Sequence, residues 1–71
     1  MDNAREKNAL GGKIKTLREA QGISQRRFAL MTGTSRSYLW KIENGAADVG
    51  IDVLIRIARA LDTTVNDLVD F

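Results

Sequence analysis

Between positions 36 and 41 the sequence reads Arg-Ser-Tyr-Leu-Trp-Lys, and Arg36, Ser37, Trp40 and Lys41 are side chains that can meet the edges of nucleotide bases. An arginine can give two parallel hydrogen bonds to O6 and N7 of guanine, a serine can bond several base edges, and a lysine can reach guanine or a phosphate. A tryptophan in that company can contact a thymine methyl or a sugar; it can equally fold back on a neighbour or meet another subunit. On a helix with Arg36 set at 0°, Trp40 falls at about 40°, Ser37 at about 100° and Lys41 at about 140°. Tyr38, Leu39, Ile42 and Glu43 occupy the other side, so Leu39 and Ile42 are expected to anchor the helix to a core. The outward strip is roughly 8 Å long, and a major groove about 12 Å wide accepts such a helix. Taken singly, an exposed Arg or Lys is usually just solvated; the grouping is what points to nucleic acid.

A second cluster stands where cations are disfavoured. Arg26 and Arg27 follow Ser24-Gln25 at the expected start of a helix, where the macrodipole is already positive and each cation costs ~0.3–1 kcal/mol. A phosphate lying across this helix start would turn that cost into an attraction, with Gln25 donating to the same backbone. The plain alternative is a mild local misfit offset by packing.

These side chains need a scaffold, and the spacing of apolar residues supplies one. Leu10, Ile14 and Leu17 mark a first helical stripe, which stops at Gly22. Ser24 is the expected N-cap of a second helix that carries Phe28, Ala29 and Met31 inward and ends at Gly33. Ser35 caps a third helix holding Leu39 and Ile42, with Gly45 as its stop. Gly50 opens a fourth, in which Ile51, Leu54, Ile55, Ala58 and Leu61 follow helical periodicity. Thr64 with Asp67 resembles a capping box for a last short helix burying Val65 and Leu68. No stretch alternates long enough for a strand. The predicted fold is all-α, a single five-helix domain over residues 8–71 with a frayed polar tail over residues 1–7. The connector Gly33-Thr34-Ser35 is the shortest, and Ala29 facing it lets two helices approach steeply: helix, glycine-containing turn, helix.

Composition narrows the function. The chain has 71 residues and no proline, cysteine or histidine, so disulfides, thiolate chemistry and the commonest metal ligand and general base are excluded. Ser24, Ser35 and Ser37 have no histidine to activate them. Gly11-Gly12-Lys13 lacks the earlier glycine and the following Ser/Thr of a phosphate-binding loop. The sequence therefore predicts no enzyme, no metal, no cofactor and no small-molecule ligand. The longest apolar run, Phe28 to Met31, is far below the ~20 residues of a membrane helix, and Met1 to Leu10 does not resemble a signal peptide, so an intracellular module without membrane association is expected. Net charge is +2, but residues 1–45 hold nine Lys/Arg against four acids, and residues 46–71 hold two against five. Such asymmetry suits a polyanion on one face.

The series Gly22-Ile-Ser-Gln25, Phe28-Ala29, Gly33, Ser35-Arg-Ser-Tyr-Leu39, Lys41-Ile-Glu-Asn-Gly45 and Ile57-Ala-Arg-Ala-Leu61 resembles the Cro/repressor-type (Xre-like) helix-turn-helix family, over about residues 10–69. The resemblance implies a compact lambda-repressor-like domain whose third helix reads the major groove of double-stranded DNA, and a cytoplasmic, nucleoid-associated protein of bacterial or phage origin is expected. It implies base reading by Arg36, Ser37 and Lys41, to which the strip adds Trp40. It also implies contacts to the DNA backbone from Gln25, which braces a base-reading side chain as well, and from Asn44 and Arg18, with an Arg18–Glu43 ion pair; Arg26, Ser35 and Tyr38 are further expected phosphate contacts. Three departures stand out: the loop Ala46-Ala47-Asp48-Val49 lacks the family's usual cation and proline, Trp40 replaces a small or polar residue, and Asp62 replaces a glycine, which the left-handed tolerance of Asp allows.

The leading expectation is a sequence-specific transcriptional repressor. One short helix spans few base pairs, so a homodimer on a palindrome is expected. Val53, Ile57, Val69 and Phe71 lie outside the tidy stripes and mark either a dimer surface or a broadened core. The alternative is an antitoxin-like or other protein-interaction module on the same fold, with DNA binding secondary.

Overall fold

A computed structural model describes residues 3–71, and its helices, in chain order, are α1 (Ala4–Ala20), α2 (Gln25–Thr32), α3 (Arg36–Glu43), α4 (Ile51–Ala60) and α5 (Val65–Leu68). No strand occurs among the described residues. The expected all-α, five-helix architecture is therefore observed. The helix starts follow their capping chemistry. Ser24 Oγ accepts from the Arg27 N–H at 3.1 Å, Ser35 Oγ from the Tyr38 N–H at 3.0 Å, and Thr64 Oγ1 from the Asp67 N–H at 3.1 Å. Each bond satisfies one of the donors that a helix start leaves unpaired. Asp67 does not complete a capping box by reaching the Thr64 backbone; its carboxylate accepts from Thr63 Oγ1 at 3.2 Å.

The turn between α2 and α3 depends on Gly33, which sits at φ 67° and ψ 33°, a conformation in which a Cβ is strained. Thr34 N–H then returns to the Ala29 carbonyl at 2.9 Å. Asp62 takes the same left-handed region, at φ 55°.

α1 packs on α3 and α5, while α2 packs on α3 and α4. The core they enclose consists of Ile14, Phe28, Ala29, Leu39, Ile42, Leu54, Ile57, Ala58, Leu61 and Leu68. α1 contributes to it in an unexpected way: its buried line is Gly11, Ile14 and Arg18, while Leu10 and Leu17 are only half-buried. Gly11 lies against the end of α3, where an added Cβ would collide with the Ile42 carbonyl oxygen and come within 2.9 Å of the Glu43 carbonyl carbon. A side chain at this position would push the two helices apart.

The structure departs from the sequence pattern at several positions. Ala4 to Lys7, assigned to a frayed tail, form the first turn of α1; Met1 and Asp2 lie outside the described residues. Met31 is exposed, and Thr32 takes the inward place instead. Thr32 can do so because its hydroxyl donates back to the Phe28 carbonyl at 2.8 Å, so no polar atom is left unpaired. Ile51 is exposed and Ile55 half-buried; the inward stripe of α4 and its C-cap is Leu54, Ile57, Ala58 and Leu61. Ile57 is accordingly withdrawn from the proposed dimer surface, because it is fully enclosed in the core. Val65 is half-buried beside the fully buried Leu68. The loop from α3 to α4 covers residues 44–50. It is tied down at Asp48, whose carbonyl accepts from the Tyr38 hydroxyl at 2.8 Å and whose carboxylate pairs with Lys7 at 2.8 Å.

Candidate nucleic-acid interface

α3 has two flanks of opposite character. Leu39, Ile42 and Glu43 are buried, and Arg36, Ser37, Trp40 and Lys41 are exposed. The division follows from the sequence, because the buried positions recur at i, i+3 and i+4 and leave the remaining arc to water. None of the four exposed side chains is hydrogen-bonded or ion-paired to another described residue. Arg36 therefore keeps all five of its donors for an outside partner, and Lys41 keeps three.

One carboxylate fixes how α3 sits. Glu43, with its side chain completely enclosed, accepts from Arg18 Nε at 2.7 Å and Arg18 Nη2 at 3.0 Å. Arg18 Nη1 also donates to the Ile23 carbonyl at 2.6 Å. The hydrogen bond to Glu43 raises the Arg18 pKa above its ordinary value, against the opposing pull of burial, so the guanidinium stays charged. The expected ion pair is present in a two-pronged geometry, which orients both groups more tightly than a single contact would. The side chain of Arg18, expected also to face a phosphate, is buried and commits three of its five N–H donors to Glu43 and Ile23.

Gln25, at the first position of α2, donates from Nε2 to Glu43 Oε1 at 3.2 Å. Nothing in the sequence pattern singled out this link, because a glutamine at a helix start has many available partners. Arg18, Glu43 and Gln25 thus join α1, α3 and α2 through one carboxylate, and the second amide N–H of Gln25 is left over. Arg26 and Arg27 are exposed and make no side-chain bond to a described residue, and the first turn of α2 contains no acid.

The other expected backbone contacts fare unequally. Ser35 is exposed, and although its oxygen caps α3, its hydroxyl proton is not engaged. Asn44 donates one amide hydrogen to the Trp40 carbonyl at 2.8 Å and retains the other. Tyr38 is corrected: its only donor is committed to the Asp48 carbonyl, so the ring holds the loop against α3 and has no proton to offer a phosphate. Among the described residues, no group of three His, Cys, Asp or Glu is placed to hold a metal ion. No described helix is long and apolar enough to cross a membrane.

A family model for the helix-turn-helix matches residues 14–68, spanning the turn and both helices that flank it. This chain belongs to the Cro/repressor-type helix-turn-helix family. Members are DNA-binding transcriptional regulators. Among relatives, an uncharacterized HTH-type transcriptional regulator of Sinorhizobium fredii is 36% identical over 53 residues, which are 75% of this chain and 27% of that protein. The chain thus spans about a quarter of that relative's length. Among solved structures, the restriction-modification controller protein C.AhdI of Aeromonas hydrophila superposes with a TM-score of 0.87 at 31% identity, covering 90% of this chain and 97% of that one. SinR, a master regulator for biofilm formation crystallised in complex with DNA, superposes with a TM-score of 0.77 at 33% identity, covering 83% of this chain and 95% of that one.

Proposed function

We propose that this helix-turn-helix protein is a sequence-specific transcriptional repressor that binds a palindromic operator in the major groove as a homodimer. The observation that carries this reading is the exposed flank of α3. Arg36, Ser37 and Lys41 stand in water with no protein partner, on a helix whose opposite flank is locked to the core by Leu39, Ile42 and the Arg18–Glu43 pair. Base edges are read by Arg36, Ser37, Trp40 and Lys41, with Arg36 bidentate to a guanine. Backbone phosphates are held by Arg26, the free hydroxyl proton of Ser35 and the remaining amide hydrogens of Gln25 and Asn44, contacts that set register without reading sequence.

The pairing surface centres on the exposed Phe71 and Ile51; Val53 and Val69, also expected there, are half-buried and pack against the core, and only their outer sides are left to join it. Phe71 is 60% exposed and Ile51 62%, and Phe71 lines a shallow groove with Leu10, Ala47 and Val49. Covering two such side chains supplies apolar burial that the monomer leaves unused.

Selection of bound duplexes from a random pool at one stated salt concentration tests the reading. A two-fold symmetric motif containing guanine in each half-site is expected. Failure to enrich any sequence over the starting pool rules it out, and enrichment of a single asymmetric half-site rules out the homodimer.

A further inference from the structure

Trp40 is the side chain of α3 that the fold does not explain. Leu39 and Ile42 are buried and Tyr38 half-buried, yet Trp40 is 54% exposed. No hydrogen bond or ring contact joins its indole to another described residue. In the helical projection Trp40 lies at about 40°, between Arg36 at 0° and Ser37 at about 100°, so it stands inside the polar strip and not at its rim. A surface that takes Arg36 and Ser37 to its floor must take the indole with them. The floor of the major groove presents polar edges at every base pair and one apolar feature, the C5 methyl group of thymine. Against a polar edge the indole would displace water from donors and acceptors and replace little of it, since its ring N–H is its only donor. Against a methyl group it buries apolar surface without that cost.

We propose that Trp40 makes this protein a reader of the pyrimidine C5-methyl group, in thymine or 5-methylcytosine, close to the guanine taken by Arg36. The proposal rests on α3 being the base-contacting helix. Arg36 and Trp40 are one turn apart, roughly 6 Å along the axis, while stacked bases are about 3.4 Å apart. For a helix lying along the groove, the methyl-bearing pyrimidine is therefore one or two base steps from that guanine. Where a site carries cytosine in place of thymine at that step, affinity then depends on whether that cytosine is methylated.

The test starts from a duplex selected by the intact protein. Each thymine is replaced in turn by deoxyuridine, which removes only the methyl group. In a second series the critical pair is changed to cytosine–guanine, with and without a C5 methyl. Wild type, Trp40→Ala and Arg36→Ala are titrated on all of them, with circular dichroism confirming that each variant folds. One thymine per half-site is expected to lose about three- to fivefold in wild-type affinity as deoxyuridine. Methylated cytosine is expected to outbind plain cytosine by a similar factor, and Trp40→Ala to be indifferent to both changes. Equal wild-type affinity for thymine and deoxyuridine throughout, an unchanged penalty in Trp40→Ala, or a selected site with no thymine within two steps of the guanine would each overturn the proposal. The two levels separate cleanly. If Arg36→Ala loses discrimination while deoxyuridine has no effect, DNA reading stands and methyl reading fails. If wild type selects no duplex, both fail.

Discussion

Glu43 accepts hydrogen bonds from Arg18 twice and from Gln25 once while its side chain is closed to water. Removing it strands a buried guanidinium, so Glu43→Ala is expected to cost about 3–5 kcal/mol in urea unfolding; a loss below 1 kcal/mol would mean that the pair is solvated after all. The pH dependence has a definite sign. The Arg18 pKa is raised in the folded state by its hydrogen bond to Glu43, so the stability it contributes is fully present at neutral pH and is lost only as pH rises through its elevated, strongly basic value. Arg18 therefore adds no slope to stability around neutrality. Arg26 makes the contrasting case, exposed and without a protein partner. Arg26→Ala should weaken selected and scrambled duplexes about equally and reduce the salt-dependence slope by about 1. A loss confined to the selected duplex would contradict a phosphate role. The ion pair was visible in the sequence through the family resemblance, and Arg36, Ser37, Trp40 and Lys41 through helical periodicity alone. The Gln25–Glu43 bond and the Tyr38–Asp48 tether were not, because spacing assigns a side chain to a face and not to one partner on it.

At the scale of elements, caps and turns were the most legible features, since Ser24, Ser35, Thr64 and Gly33 each act through local chemistry. Inward faces were less so. The second helix offers both Met31 and Thr32 to the core, and hydropathy favours Met31; the threonine goes in because its hydroxyl can bond the preceding turn. The fourth helix is apolar around so much of its circumference that Ile51, Leu54, Ile55 and Ile57 all fit a broad stripe, and only packing against α2 and α5 decides among them. Gly11, in the middle of a long helix, also carries a signal. A glycine there costs about 1 kcal/mol relative to alanine, which calls for a compensating reason. The reason is the backbone of α3 against its Cα. Gly11→Ala, although a better helix former, is expected to destabilise by about 1–3 kcal/mol on thermal or chemical unfolding; an unchanged or raised stability would show that α1 and α3 can separate freely. The control Gly12→Ala, where no atom lies within 4 Å of the added Cβ, should stabilise.

For the molecule as a whole, the charge asymmetry has a structural counterpart. Four cations with no partner among the described residues, Arg26, Arg27, Arg36 and Lys41, belong to α2 and α3, which carry Glu43 as their one acid, whereas Asp52, Asp62, Asp67 and Asp70 outnumber Arg56 and Arg59 on α4, α5 and their flanks. A polyanion is thereby attracted to one part of the molecule and repelled from another, which orients the encounter. On the proposed dimer, Ile51→Asp and Phe71→Asp should shift sedimentation towards the monomer and weaken operator binding without lowering monomer stability, since both side chains are exposed. Unchanged sedimentation in both variants would place the pairing surface elsewhere. The central claim is that the outward flank of α3 reads bases, and titration of Arg36→Ala against wild type on the selected duplex and on a scrambled one tests it most directly. Arg36→Ala is expected to lose about 1–3 kcal/mol on the selected duplex, with relaxed preference at a single base pair and little change on the scrambled duplex beyond one lost charge. An equal loss on both duplexes would contradict it.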